Sequence, residues 1–453
     1  MEEQNTLVTK YSHAFLVGSF NGVVTPELLA NDSSWNREII KLSPSENERR
    51  YSKDRGYNGL CTIYYKAHLD AMIEGQNIKR PVSLSETSHF VHDYGKSTAT
   101  QLTLRKDQGK TPFLYSFYLQ KLHFFFFPLG VVLFAIEIDD SNTDLNELTA
   151  AHYALTNFLD VDAFNSKELV DKLTPIIKYI PKSDSSKLNK DGNKLKIFQT
   201  VEIEKVPKSE DLFNAMLYEI GTSSPIGSVL GNTCPDLKPS RQYFDSIIKA
   251  NLVSTFDSWK GLGLMDSFTV LGGENSFIKD DWIYMYFPLV YLRCLFVKIF
   301  CFSRNNSYRQ SDQLIGGKLR DEIAIMEKYY FYDNISYNFQ PNLLYAAMAK
   351  GLEIKAERSE LSRQIKEYAR RESEDNKEKE EQRLNNTLAG VSVFAVFSVV
   401  WDLWGIIDKS EDDLLAKCLI GIAVIVIIAL FGRIYSKQIK KLVTKTKHTY
   451  EKQ

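Results

Sequence analysis

Two apolar runs of membrane length, six residues apart, lie near the end of this chain and limit its fold more than any other feature. The first, "TLAGVSVFAVFSVVWDLWGII" (387–407), carries one charge, Asp402, in 21 residues. At ~1.5 Å per residue a helix of that length reaches ~30 Å, the hydrocarbon thickness of a bilayer. The second, "LLAKCLIGIAVIVIIALFGRI" (414–434), is similar in length, and its early Lys417 lies near an end where a long side chain reaches the interface. Two helices buried in a soluble core would also be apolar, but two such runs joined only by "DKSEDD" favour a membrane hairpin. Lys377, Lys379 and Arg383 precede it, and Arg433, Lys437, Lys440, Lys441, Lys445 and Lys447 follow. The linker between holds Asp408, Glu411, Asp412 and Asp413 against Lys409 alone. Cationic flanks stay on the cytoplasmic side, so both termini are expected there, in an inner (cytoplasmic) membrane, with the acidic linker outside. Trp401 and Trp404 then fall at the outer aromatic belt.

Asp402 shares one helical face with Thr387, Val391, Ala395, Ser398, Gly405 and Ile406 at about 100° per residue. A lone carboxylate is expensive in lipid, so this face must meet protein or water. It is either a close-packing face with an acid at its rim or the wall of a pore. One hairpin encloses nothing, so a pore needs several copies around an axis. In such a ring Asp408, Glu411, Asp412 and Asp413 would be multiplied at the mouth, concentrating cations and repelling anions.

Upstream, "LEIKAERSELSRQIKEYARRESEDNKEKEEQRLNN" (352–386) lacks Pro and Gly and is built largely from strong helix formers with opposite charges at helical spacing. It predicts an exposed stalk helix (341–385) running unbroken from near Asn342 into the membrane, with only Leu361, Ile365 and Tyr368 as an apolar seam. A disordered charged linker is the alternative. A basic tail (436–453) ends the chain.

The remainder reads as mixed α and β in two regions, 1–180 and 195–340, divided by the polar loop 181–194. "LHFFFFPLGVVLFAIEIDD" predicts a β-hairpin, Phe124–Phe127 and Val131–Ile138 around a Pro128-Leu129-Gly130 turn. "LKIFQTVEIE" alternates Leu195, Ile197, Val201 and Ile203 as a half-buried strand. "WIYMYFPLVYLRCLFVKIFCF" (282–302) is long enough to span, but Pro288, Arg293 and Lys298 make it a buried helix instead. Lys plus Arg number 56 and Asp plus Glu 57, so no direct nucleic-acid binding is expected from overall charge. Five scattered cysteines without a C-x-x-C pair suit a reducing compartment, and "MEEQNTLVTK" is no secretory signal.

Stalk, first span, acidic linker, second span and basic tail, in that order, resemble the CorA family of pentameric divalent-cation channels over about 110 residues from Asn342. The resemblance implies an α/β cytoplasmic domain, a long stalk helix and two transmembrane helices in a homopentamer, with a divalent cation as the transported ion. In that family the first span ends in an aromatic followed by Gly-Met-Asn, whose Asn helps bind the hydrated cation. Here Trp404 and Gly405 match, while Ile406 and Ile407 replace Met and Asn. Divergent relatives lacking the motif include membrane effectors of type III CRISPR systems, taken to sense a nucleotide second messenger, either a cyclic oligoadenylate or an S-adenosylmethionine-AMP conjugate. The resemblance implies such a ligand here.

Catalytic motifs are missing: no G-x-S-x-G or H-E-x-x-H is present, and no enzyme is expected. His89 and His92 beside Asp93 have a spacing that could ligate a metal, though polar residues without that role fit as well, and no metal is assigned. Gly261, Gly263, the pair in "LGGENS" and Gly316-Gly317 read as turns. A nucleotide ligand needs cations for phosphate and aromatic faces for bases. Arg49, Arg50 and Arg55 with Tyr57, and Arg304 and Arg309 beside Tyr308, offer both, and solvated loops explain the two stretches equally well.

Overall fold

The computed structural model describes residues 8–19, 24–38, 63–72, 88–94, 100–108, 111–140, 143–156, 167–179, 194–273, 279–310 and 316–409, with 418, 421, 422, 424 and 425. The chain forms two units, Met1–Ile365 and Lys366–Gln453.

In the first unit ten strands build one sheet. They are β1 (Thr9–Ser19), β2 (Asn36–Glu38), β3 (Ser88–Asp93), β4 (Thr100–Gln108), β5 (Thr111–Phe127), β6 (Val131–Asp140), β7 (Lys196–Ile203), β8 (Leu252–Phe256), β9 (Trp259–Gly263) and β10 (Ser267–Gly273). Their spatial order is β2-β3-β5-β6-β1-β7-β10-β9-β8, with β4 paired to β5, and only β7 and β10 run parallel. Strands from before residue 181 and after residue 194 therefore share one sheet, and the two expected regions fall in a single unit.

The expected hairpin is β5 and β6. Its turn, Pro128–Gly130, places Leu129 at φ 63° and Gly130 at φ 75°. Glycine takes that left-handed conformation freely, and Leu129 is held by Arg304, which donates to its carbonyl at 2.8 Å. Strand β7 is buried on both faces, not one. It sits mid-sheet between β1 and β10, with helices over each face, so Phe198 and Thr200 are covered as fully as Ile197 and Val201.

The helices are α1 (Pro26–Ala30), α2 (Lys66–Met72), α3 (Leu145–Thr156), α4 (Lys167–Ile177), α5 (Glu210–Thr222), α6 (Arg241–Asn251), α7 (Leu292–Gln310), α8 (Gly316–Tyr329), α9 (Phe339–Gly351) and α10 (Ile354–Lys409). One core packs Leu16, Phe134 and Ile197 against Leu148, Leu173 and Met216. The other packs Phe15, Phe125 and Phe198 against Phe287, Phe296, Met326 and Leu344. Segment 282–302 lies in this second core, as helix. Its first part, Trp282–Tyr291, is π-helical around Pro288, whose missing N–H a normal α-turn would leave uncompensated. Among the described residues, Lys279–Arg309 is the one helix long and apolar enough to cross a membrane, and 83% of its apolar window is buried in protein.

Glycines expected in turns sit elsewhere. Gly261 and Gly263 are in β9, Gly272 and Gly273 end β10, and Gly316 and Gly317 open α8. A Cβ on Gly351 would lie 2.6 Å from the Gly263 carbonyl carbon, so these two glycines let α9 rest directly on β9. The stalk does not run unbroken from Asn342. The helix stops at Gly351, Glu353 turns the chain at φ 55°, and α10 starts at Ile354. The first turns of α10 are fastened by Lys298 and Asn305 to Glu357 and by buried Leu361.

In the second unit α10 continues with exposed charged residues to Asn386, including an Arg370–Glu374 pair at 3.6 Å. Segment 387–407 is helical throughout. The expected second span, 414–434, lies outside the described residues except Cys418, Gly421, Ile422, Val424 and Ile425, all helical.

Candidate functional site

One face of the sheet carries a polar row through an otherwise aromatic core. The register places Glu38 opposite His89, His89 opposite Phe125, Lys121 opposite Glu137, and Glu137 opposite Phe15, so β2, β3, β5, β6 and β1 all contribute to one face. Glu137 is the centre. One carboxylate oxygen accepts from His123 Nε2 at 2.9 Å, and His13 Nε2 lies 3.3 Å from the other. The row extends outward on both sides, His123 Nδ1 to His89 Nε2 at 3.0 Å and His13 Nδ1 to the Tyr11 hydroxyl at 3.2 Å. All three imidazoles and Glu137 are buried.

Burial opposes the charge on Glu137, but hydrogen bonds from the two imidazoles outweigh it and hold the carboxyl far below the usual carboxylate range. His89 is pushed well below the ordinary histidine value by burial first, then by the charges of His123 and Lys121. Burial also works against the Lys121 ammonium, yet Glu137, Asp93 and Glu38 keep its pKa above the usual lysine value. One buried nitrogen of the row, His89 Nδ1, has no hydrogen-bond partner, and His13 Nε2 has only its 3.3 Å approach to Glu137.

Over this row lies a cleft of about 70 Å³, lined on the sheet side by Glu38, His89, Lys121 and His123 and closed by Ile283, Tyr284, Phe287 and Pro288 of the π-helical segment. Phe287 stacks on Phe15 at 3.7 Å. At its far end the segment is pinned, because His68 Nε2 donates to the Leu289 carbonyl at 2.7 Å and the Tyr291 hydroxyl to the Ile197 carbonyl at 3.2 Å. The sequence signal for the row was a titratable residue replacing an apolar one in a strand, as in "SHAF", "KLHFF" and "AIEID", though only the register shows that they meet.

His89 and His92 do not converge. Three residues apart on β3, they face opposite sides of the sheet. His92 Nδ1 reaches the Ser34 carbonyl at 2.6 Å, while Asp93 pairs with Lys121 at 3.5 Å. Arg304 and Arg309 lie in helix α7, not a loop. Arg304 donates to Glu322 at 2.6 Å, and Arg309 lies 3.5 Å from Glu360. Arg49, Arg50, Arg55 and Tyr57 lie outside the described residues.

In the second unit Thr387, Val391, Ala395, Ser398, Asp402 and Gly405 are exposed on α10, and Ile406 and Asp408 belong to the same helix. Glu411, Asp412 and Asp413 lie outside the described residues. Leu388, Val391, Phe394, Phe397, Val399 and Trp401 are exposed as well, Phe394 by 78% and Trp401 by 79%. No family model, curated protein or solved structure matches this chain.

Proposed function

We propose that this chain is a homo-oligomeric membrane protein that conducts cations and is gated through its first unit. The observation that carries the reading is the uncovered apolar surface of α10 between Leu388 and Trp401. Burying each large side chain there is worth roughly 1.5–3 kcal/mol, which a bilayer supplies and water does not. Asp402 gives the reading its oligomer. It is exposed on the same helix, has no ion-pair partner among the described residues, and lies inside the apolar run, where a carboxylate facing lipid is unfavourable, by less than the ~3 kcal/mol of the bilayer centre. Copies meeting around an axis would turn that carboxylate toward a water-filled bore, with Thr387, Val391, Ala395 and Ser398 along it and the acidic linker at its mouth.

A pentamer and a divalent cation are the assembly and ion implied by the resemblance to CorA channels. A nucleotide second messenger is the gating ligand to test. Arg304 and Arg309 are engaged by Glu322 and Glu360, so Arg49, Arg50 and Arg55 are the first candidates for its phosphates. A ligand shifts the gate only by binding one state of the first unit more tightly.

The test joins particle mass in detergent with cation flux into liposomes, with and without candidate nucleotides. A pentamer-sized particle with flux that falls severalfold in Asp402→Asn is expected. A monomer or dimer without flux would reduce the hairpin to an anchor.

A further inference from the structure

The row beneath the cleft has two discrete ways to place a proton. At 3.0 Å, His89 Nε2 and His123 Nδ1 have room for one proton between them, an N–H···N bond. A second would set two N–H groups against each other. His123 is fixed from behind by its bond to Glu137, so His89 is the ring free to turn away. Glu38, its register partner on β2, lines the same cleft. We propose that the row is a proton-operated latch, in which uptake of one proton transfers His89 from His123 to Glu38 and frees the near end of the π-helical segment above it.

The surrounding charges favour that movement. Lys121 on β5 repels a protonated His89, and Asp93 on β3 and Glu137 on β6 hold Lys121 in place. Carboxylates outnumber that ammonium: Glu38, Glu137 and Asp93 are joined by Asp139 on β6 and Asp280 ahead of the π-helical segment, with Lys279 beside Asp139. Tyr284 and Tyr11, both held above the usual tyrosine value by burial, stay neutral near the row. Ile283 and Tyr284 close the cleft, while Leu289 and Tyr291 are tethered, so release frees one end only. The inference uses the first unit alone and does not depend on ion conduction.

Hydrogen exchange of the full chain in detergent, followed by mass spectrometry from about pH 7.5 to 5.5 and corrected for intrinsic rates, tests it. Exchange of peptides covering Trp282–Tyr291 should rise about tenfold per pH unit below the transition, as single-proton uptake requires, while β7 and β10 stay protected. His89→Phe, which keeps an aromatic ring on Phe125, should abolish the rise. Glu38→Gln, a change at the rim, should move its onset to lower pH. A flat profile in the folded wild type, the same rise in His89→Phe, or an unmoved onset in Glu38→Gln would overturn the latch. Stoichiometric Zn²⁺ uptake that blocks the rise and is lost in His123→Gln would overturn it in favour of a metal centre.

Discussion

Replacing Gly351 by alanine sets two effects of known size against each other. Glycine within a helix is worse than alanine by about 1 kcal/mol, so propensity alone predicts stabilisation. The added methyl, however, would stand 2.6 Å from the Gly263 carbonyl carbon, 2.8 Å from its oxygen and 2.8 Å from the Leu264 nitrogen. All three are backbone atoms, and β9 is held by β8 on one side and β10 on the other, so no side chain can swing aside. Overpacking of this kind costs about 1–3 kcal/mol. The clash should win, leaving a net loss of up to about 2 kcal/mol in urea unfolding of the full chain followed by tryptophan fluorescence. Gly317→Ala is the control, because nothing lies within 4 Å of its new methyl, and it should be neutral or stabilising. If Gly351→Ala equals or exceeds the wild type in stability, α9 does not rest on β9 as described.

Two further outcomes follow from the first unit. Burial lowers the His152 pKa from 6.5 to about 4, so between those values the unfolded chain binds a proton that the fold refuses. Stability should therefore fall as pH drops below about 6.5, by about 3 kcal/mol in all by pH 4, and His152→Gln should remove that part of an acid titration. Glu353 holds a left-handed conformation that costs a residue with a side chain about 1 kcal/mol, so Glu353→Gly should raise the unfolding midpoint slightly; a clear loss would mean that the break before α10 needs its side chain.

Local chemistry was legible where neighbours in sequence are neighbours in space. The β5–β6 hairpin could be read because Pro128 and Gly130 punctuate two apolar runs, and 282–302 because Arg293 and Pro288 argue against lipid. The break in the stalk was also written locally, in Gly351, but the charged run after it outweighed one glycine. What sequence could not show was long-range register. Nothing near His123 announces that residues 89, 137 and 13 stand beside it, and β7 looked half-buried because its burial depends on β10, some seventy positions later.

The place of β1 bears on how the protein is made. The strand nearest the start of the chain ends up between β6 and β7, with β10 beyond, so the middle of the sheet cannot close until residues up to 273 have left the ribosome. Such distant pairings form slowly and leave sticky edges waiting. The apolar run at Thr387 is synthesised after the entire first unit, so the sheet can close before that run emerges. A chain translated faster than β1 finds β7 would bring the unpaired strand edges and the exposed apolar run into being together, and aggregation is the failure to look for.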